Sequence, residues 1–464
     1  MSYSSPAVVI DNGSQTTRAG FASADLPSLV YSSTYSIDPS DPKKVIIGDD
    51  ERDSNPQNEV MTLIDNGLVY NWDNIIHNWQ YAYDNLDASS PIDPKEFPLM
   101  LTEQPWNTDK NKLAATQLAF ETLQVPIFSL VKTPLAQLYH QGKSSGLVVD
   151  LGSGITSVTP ILDGIVQSKA SFHSKYAGDF ISLHCLNYLS QQVPSLDYLL
   201  PKPFVNNPTA QLSASFKNFQ VTNRVVEDFK YSMLSVSEFP ANNPAAHAAL
   251  QIQSKNFYLP YGKTIPVANE QVNLLEPLFQ PSAYPLPNMT LPQPIFDKPS
   301  TQGLTHLILS SLKALEASII PQAILENTAN TSANSSHHAR FNDILRELLT
   351  NLLITGGGSL SAGITPRIID SVYKSLHQYF PNYLFTQPGH LHIATIQPAS
   401  INNLDWDKKF GSWLGACNLA SMLNGTGSSG NQEDNSVNIA LDNWYVTKSD
   451  YEELGEDLIL EKFK

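Results

Sequence analysis

Cysteine is nearly absent. Cys185 and Cys417 are the only two in 464 residues, which excludes a small secreted scaffold held by disulfides. Basic residues are also scarce, 28 against 44 acidic ones, and the net charge of −16 excludes a broad nucleic-acid surface, which needs clustered Lys and Arg. That balance suits either an acidic subunit docking onto a basic partner or plain solubility. No apolar run reaches the ~18 residues that span a membrane, and the first residues lack a basic-then-apolar signal. A cytosolic or nuclear location is therefore expected, with sequons such as Asn330-Thr331-Ser332 unused. What is present is a hydrophobic fraction of 41% and an aromatic fraction of 9%, a globular composition. The length exceeds one ordinary domain, so two lobes are expected.

The stretch VVIDNGSQTTRAGF, residues 8 to 21, runs apolar residues into Asp11, turns through Asn12 and Gly13, and leaves through threonines and Arg18. It reads as a hairpin, since Gly supplies the positive φ of a tight turn. LVVDLGSGITSVTPILDG, residues 147 to 164, repeats the grammar around Asp150, Gly152 and Gly154. Each aspartate would end a buried strand beside backbone N–H groups that glycine leaves accessible, as phosphate-binding turns require. Two carboxylates facing across a polyphosphate suit the hydration shell of Mg²⁺. LLTNLLITGGGSLSAGI, residues 348 to 364, adds a third turn of this kind, a buried strand running into three glycines before a helix.

Between these motifs the chain alternates loops and helices. Residues 36 to 58 read as a loop apart from a short strand at Val45-Ile46-Ile47; residues 191 to 215, 239 to 247 and the proline-rich 280 to 300 read as loops. Residues 327 to 339 and 424 to 436 read as disordered insertions, with His337 and His338 solvated rather than metal-binding. TPLAQLYHQG reads as a helix with Thr133 as N-cap, Pro134 at its first position, Leu135 and Leu138 on one face, and Gly142 as its stop. TNRVVEDFKYSMLSV reads as a helix capped by Thr222, burying Val225, Phe229, Met233 and Val236. Ser449 with Glu452 reads as a capping box.

DNGSQTTRAGF, NGLVYNWDNIIHNW, DLGSGITSVTPILDG, NFYLPYGKTIPVANEQVNLLEPLFQPS, LLITGGGSLSAGI, KKFGSWLGACNLASML and WYVTKSDYEELG resemble, in this order, blocks of actin. The chain is thus similar to the actin superfamily over essentially its whole length. LDGIV, SKYAGDF and LLTNLLITG resemble more particularly the actin-related protein seven type, subunits of the fungal SWI/SNF and RSC chromatin remodellers. The resemblance implies an α/β fold of the actin, sugar-kinase and chaperone ATPase kind, two lobes and four subdomains around a nucleotide cleft. Subdomain one would be residues 1–32, 68–141 and 411–464, subdomain two 33–67, subdomain three 142–176 and 282–410, and subdomain four 177–281.

Carried over position by position, the resemblance makes Asp11 and Asp150 the carboxylates that orient the metal's waters. Ser14 keeps a phosphate-facing hydroxyl, Arg18 the charge of a lysine, and Gly152 and Gly154 belong to the second phosphate loop. Lys230 matches a lysine beside the adenosine, with Tyr231 in place of the neighbouring acid. Gly356 and Gly357 keep the backbone approach to the nucleotide, Lys409 matches an adenine-side lysine, and Gln15 replaces a glycine in the first turn. ATP and Mg²⁺ are the implied cofactors, with their occupancy in a complex left open.

Hydrolysis is not expected, and no residue is assigned a catalytic role. The glutamine that positions water falls on Thr133, the second loop's other aspartate on Ser153, and the proton-relaying histidine on Ser157. Phosphoryl transfer depends on positioning and electrostatics, which these groups supply. The loop through which actin subunits insert into one another is replaced by a segment rich in proline and acid, so filaments are not expected. A groove formed by Tyr139, Gly142, Leu414, Leu419 and Met422 would receive an amphipathic helix, although Leu419 and Met422 read equally well as core. The resemblance implies that this helix is the helicase-SANT-associated segment of a remodeller's motor ATPase, shared with a second actin-related protein as a heterodimer. Nucleosomes would then be contacted only indirectly, and the location would be nuclear. An actin-fold ATPase and a cytoskeletal actin-related protein are the competing readings.

Overall fold

The structure is a computed structural model that describes residues 5–205, 211–237, 252–287, 289–320, 332–383, 392–397, 404–424 and 444–463. Two β-sheets in it are built on one plan. In the first, the hairpin Val8–Asn12 with Thr16–Phe21 lies beside the parallel strand Leu99–Glu103, which pairs in turn with Ile127–Lys132. Leu29–Ser32 and Val446–Thr447 close its two edges. In the second, the hairpin Gly146–Leu151 with Thr156–Leu162 lies beside the parallel strand Leu352–Thr355. The opening strands are apolar on both faces because both are covered: Val8, Val9, Ile10, Leu147, Val148 and Val149 are all at most 1% exposed. The mixed α/β architecture is the one the sequence implied.

Each sheet has its own core. Ile10, Trp79, Tyr83, Phe120 and Phe128 pack around the first, and Leu147, Leu312, Phe341 and Phe380 around the second. Between them the helix Thr133–His140 crosses the helix Leu404–Asn424. A Cβ on Gly415 would lie 1.8 Å from the Ala136 carbonyl oxygen, so only glycine lets the two backbones meet. Trp413 fills the space behind the crossing, its indole N–H donating to the Val9 carbonyl at 3.1 Å.

A second set of contacts ties residues 49–58 to residues 213–224. Arg52 is 2% exposed, pairs with Asp49 and Asp53, and sits 3.9 Å over the Phe219 ring. Asp53 also accepts from Gln220 at 2.7 Å and Arg224 at 3.3 Å, and Ser213 donates to the Asn58 carbonyl.

Several local expectations are corrected. Residues 36 to 58 hold a hairpin, Thr34–Asp38 with Asp41–Ile46, and a short helix, Asp49–Ser54; Pro42 is tolerated because its strand is an edge. The helix expected from Thr222 begins at Ala214, where Ser213 accepts from the Phe216 N–H at 3.0 Å. Thr222 lies inside a π-helical turn, Val221–Val226, and Val236 lies beyond the helix end at Met233. Thr133 is the first residue of its helix and not its cap, because Lys132 is still paired in the preceding strand. The C-terminal box is Thr447 with Asp450, not Ser449 with Glu452, since Thr447 pairs with Ile127 and stays extended.

The helix Ser332–Thr350 covers most of the segment expected to be disordered, and His338 bonds to the Tyr383 hydroxyl at 3.0 Å. The strand after it begins at Leu352 and not at Leu348. Residues 191 to 215 contain short helical pieces at Leu196–Leu199 and Lys202–Val205. Residues 239–247, 327–331 and 425–436 lie outside the described residues. Among the described residues, no helix is long and apolar enough to cross a membrane.

Candidate functional site

The two hairpin turns meet. A Cβ on Gly154 would lie 2.6 Å from the Ser14 hydroxyl oxygen, and one on Gly356 would lie 2.3 Å from an Asp150 carboxylate oxygen, whereas Gly357 faces open space. Ser14, Gly154, Asp150 and Gly356 are therefore gathered in one place by three segments remote in sequence. Gly356 has φ of 86°, a conformation that disfavours side chains; its N–H is taken by the Lys408 carbonyl at 3.0 Å.

The repeated register assigns a different neighbour to each aspartate. Asp11 pairs with Arg18 across its hairpin, and Asp150 pairs with Ser157 across the other. Asp11 is 4% exposed and takes three protein donors: Arg18 Nη1 at 2.8 Å, Thr102 Oγ1 at 2.6 Å and Ser412 Oγ at 2.7 Å. Asp150 has no such cation on its partner strand, and burial holds its carboxyl above the usual carboxylate range. Gln137 opposes that rise by donating from Nε2 at 2.7 Å; the Asp11 charge adds to the rise, and Arg18 reduces it.

Of the positions assigned to hydrolysis, Thr133 is buried at the start of its helix, Ser153 donates to Asp179, and Ser157 is buried opposite Asp150. Gln137, one turn after Thr133, is the glutamine that reaches the site. Thr102, Ser412 and Gln137 were missed in the sequence. For Gln137 the four-residue spacing from Thr133 was an available signal; the isolated hydroxyls offered none.

The remaining expected contacts are dispersed. Lys230 donates to the Gly178 carbonyl, Ser182 and Glu227, so its charge is already compensated. Tyr231 points outward at 79% exposure. Lys409 is exposed and lies 5.5 Å from the Phe410 ring. Its neighbour Lys408 is the one that reaches the glycine turn, donating to the Ser359 carbonyl at 3.3 Å. Gly152 is engaged by backbone bonds to Ile155 and Gly178.

Of the positions expected to form a groove, Tyr139 is half-buried and stacks on Trp444, ring centroids 6.3 Å apart and planes at 5°. Gly142, with φ of 66°, has nothing within 4 Å of a would-be Cβ, and Leu414 is half-buried. Leu419 is 4% exposed and belongs to the core with Val9 and Trp413. It is therefore withdrawn from the groove. Met422 lies in the helix Leu404–Asn424, but its side chain is outside the described residues. Trp444, stacked on Tyr139, is a neighbour the sequence reading overlooked.

These residues fit a polyphosphate better than they fit a hydrated metal. The turns are backbone-rich and Arg18 supplies a cation beside them, whereas the unpartnered Gln137 Oε1 can only accept a hydrogen bond and does not itself favour a phosphate. Asp11, expected to accept hydrogen bonds from a metal's waters, already has both oxygens engaged and a guanidinium beside it. Among the described residues no cluster of His, Cys, Asp and Glu is arranged to bind a metal directly.

Comparison with known proteins agrees in extent. The Actin family model matches residues 2–464. Actin-related protein 7 of Saccharomyces cerevisiae is 30% identical, covering 98% of each chain. Actin-related protein 4 of Yarrowia lipolytica is 28% identical over 98% of this chain and 95% of its own. The SWI/SNF and RSC complexes subunit arp42 of Schizosaccharomyces pombe is 26% identical, covering 98% of this chain and 96% of its own. Both seven-type and four-type relatives are thus similar to it.

Proposed function

Since the chain belongs to the actin family, we propose that it is a nuclear, non-filamentous structural subunit of a SWI/SNF- or RSC-type chromatin remodelling complex. It binds the helicase-SANT-associated helix of the motor ATPase beside a second actin-related protein, and its four subdomains follow the boundaries set out above. The cleft accommodates ATP and does not hydrolyse it. The observation that carries the reading is the half-buried Tyr139–Trp444 stack at the end of the helix that also carries Gln137 against Asp150. Similarity to arp42, named as a SWI/SNF and RSC subunit, supports the assignment. The net charge of −16 suits a basic partner helix.

Loss of hydrolysis is supported by Thr133, Ser153 and Ser157, which offer hydroxyls where placing and deprotonating water calls for a longer amide, a carboxylate and an imidazole. When bound, the nucleotide's phosphates would lie against Ser14, Gly154 and Gly356, with Arg18 as counter-charge. Co-expression with the basic motor segment tests the reading: co-elution as a stable complex is expected, and a chain that stays monomeric and unbound refutes it.

A second reading, an active ATPase, is favoured by one observation, the Gln137 amide held against Asp150. Phosphate release by the purified chain at actin-like rates, lost on Asp150→Ala, would establish it in place of the first.

A further inference from the structure

The deepest departure from a metal-nucleotide site lies in how Arg18 is held. Its Nη1 donates to Asp11 Oδ2 at 2.8 Å, while Thr102 and Ser412 fix the same carboxylate. The guanidinium therefore cannot swing freely, and Nη1 also packs 3.3 Å from where a Cβ would stand on Gly13, in the first turn. A guanidinium carries five N–H donors in a planar fork. Here one is engaged by Asp11, and Nε, at the other edge, is buried without a partner among the described residues. Because Nε is buried, it is the Nη1–Nη2 end of this side chain, 17% exposed, that is left to meet phosphate oxygens bidentately.

We propose that Arg18 is the cation of this site and Asp11 is its positioning residue, so that a nucleoside triphosphate is held by the Arg18 fork without a divalent metal. The inference rests on the nucleotide-binding part of the proposed function. The alternative role for Asp11, accepting hydrogen bonds from the waters of a hydrated Mg²⁺, requires free lone pairs and uncompensated negative charge. Asp11 instead takes three protein donors, the Arg18 ion pair among them, so both its oxygens and its negative charge are already committed within the protein. The second hairpin supplies the contrast: its register places Ser157, not a cation, opposite Asp150, so the site contains one internally neutralised carboxylate and one that is not.

The test is ATP binding by calorimetry to the full chain, in excess Mg²⁺ and in EDTA at matched ionic strength. The expected Kd values agree within about threefold. Arg18→Lys keeps the charge but loses the fork, so it should weaken binding by about tenfold in both buffers. Asp11→Asn, which loosens the guanidinium, should weaken binding equally in both, with native circular dichroism confirming that each variant folds. Binding at least about tenfold tighter with Mg²⁺, or an Asp11→Asn defect confined to the Mg²⁺ buffer, overturns the inference and leaves nucleotide binding standing. No ATP binding in either buffer overturns both together.

Discussion

Replacing Gln137 by Ala tests whether this side chain manages the charge on Asp150 or merely fills space. Gln137 is 4% exposed and donates to Asp150 at 2.7 Å. A hydrogen bond to a charged group contributes about 1.5–3 kcal/mol, so Gln137→Ala should cost that much where Asp150 is ionised. The pH dependence follows from the direction of the Asp150 shift. Burial raises its carboxyl in the folded protein above 3.8, so the native state holds the proton more tightly than the unfolded chain. Stability therefore falls as pH rises from about the unfolded value of 3.8 through the folded one, and is flat above. Without Gln137 the folded value rises further, so this window extends upward. The cost of Gln137→Ala must then be largest at high pH and shrink on acidification, as a proton neutralises the carboxylate the amide had served. In an Asp150→Asn background the same change removes only a neutral hydrogen bond, about 0.5–1.5 kcal/mol, leaving a coupling of about 1 kcal/mol. Urea midpoints of the four variants across a pH series, compared at a shared slope, read all of this. A Gln137→Ala cost that is independent of pH and unchanged by Asp150→Asn refutes the reasoning.

Arg367 and Glu276, 2% and 1% exposed, form a forked pair at 3.2–3.3 Å. Arg367→Ala should cost about 3–5 kcal/mol, whereas joint replacement by Met and Leu should be near neutral, as thermal melts would report. Gly415→Ala sets a methyl 1.8 Å from the Ala136 carbonyl, and the forced separation of the helices should cost about 1–3 kcal/mol in the same assay. Trp444→Ala removes the ring stacked on Tyr139 and should weaken capture of the partner helix by about thirtyfold, the scale of an aromatic anchor, with the far-ultraviolet spectrum unchanged.

What was legible in the sequence was short-range and periodic. The two hairpins appear at their expected positions because an apolar run and a β-branched return pair across a short turn, although Gly13 does not take the expected positive φ and is needed for room, a Cβ there lying 2.9 Å from the Thr16 carbonyl oxygen. Capping was harder, because TKSDYEE offers two overlapping boxes, Thr447 with Asp450 and Ser449 with Glu452. Only the pairing of Thr447 with Ile127, a contact across the whole chain, decides between them. The same holds for Thr133, whose helix start is fixed by the strand pairing of Lys132 with Glu103, and for the helix that begins at Ala214 rather than Thr222, whose cap Ser213 is held by the distant Asn58 carbonyl.

The site was legible to the extent that its residues belong to turns. Asp11, Ser14, Asp150, Gly154 and Gly356 could be named because glycine turns mark them; Thr102, Ser412 and Gln137 could not, because a lone hydroxyl or amide in a buried segment has no local signature. Yet those three decide what the turns can do. With Thr102 and Ser412 on Asp11, and Gln137 on Asp150, both carboxylates are engaged by the protein itself. A sequence motif specifies where the charges stand, but their availability to a ligand depends on neighbours recruited from 91 and 401 residues away, and only the assembled fold reveals those.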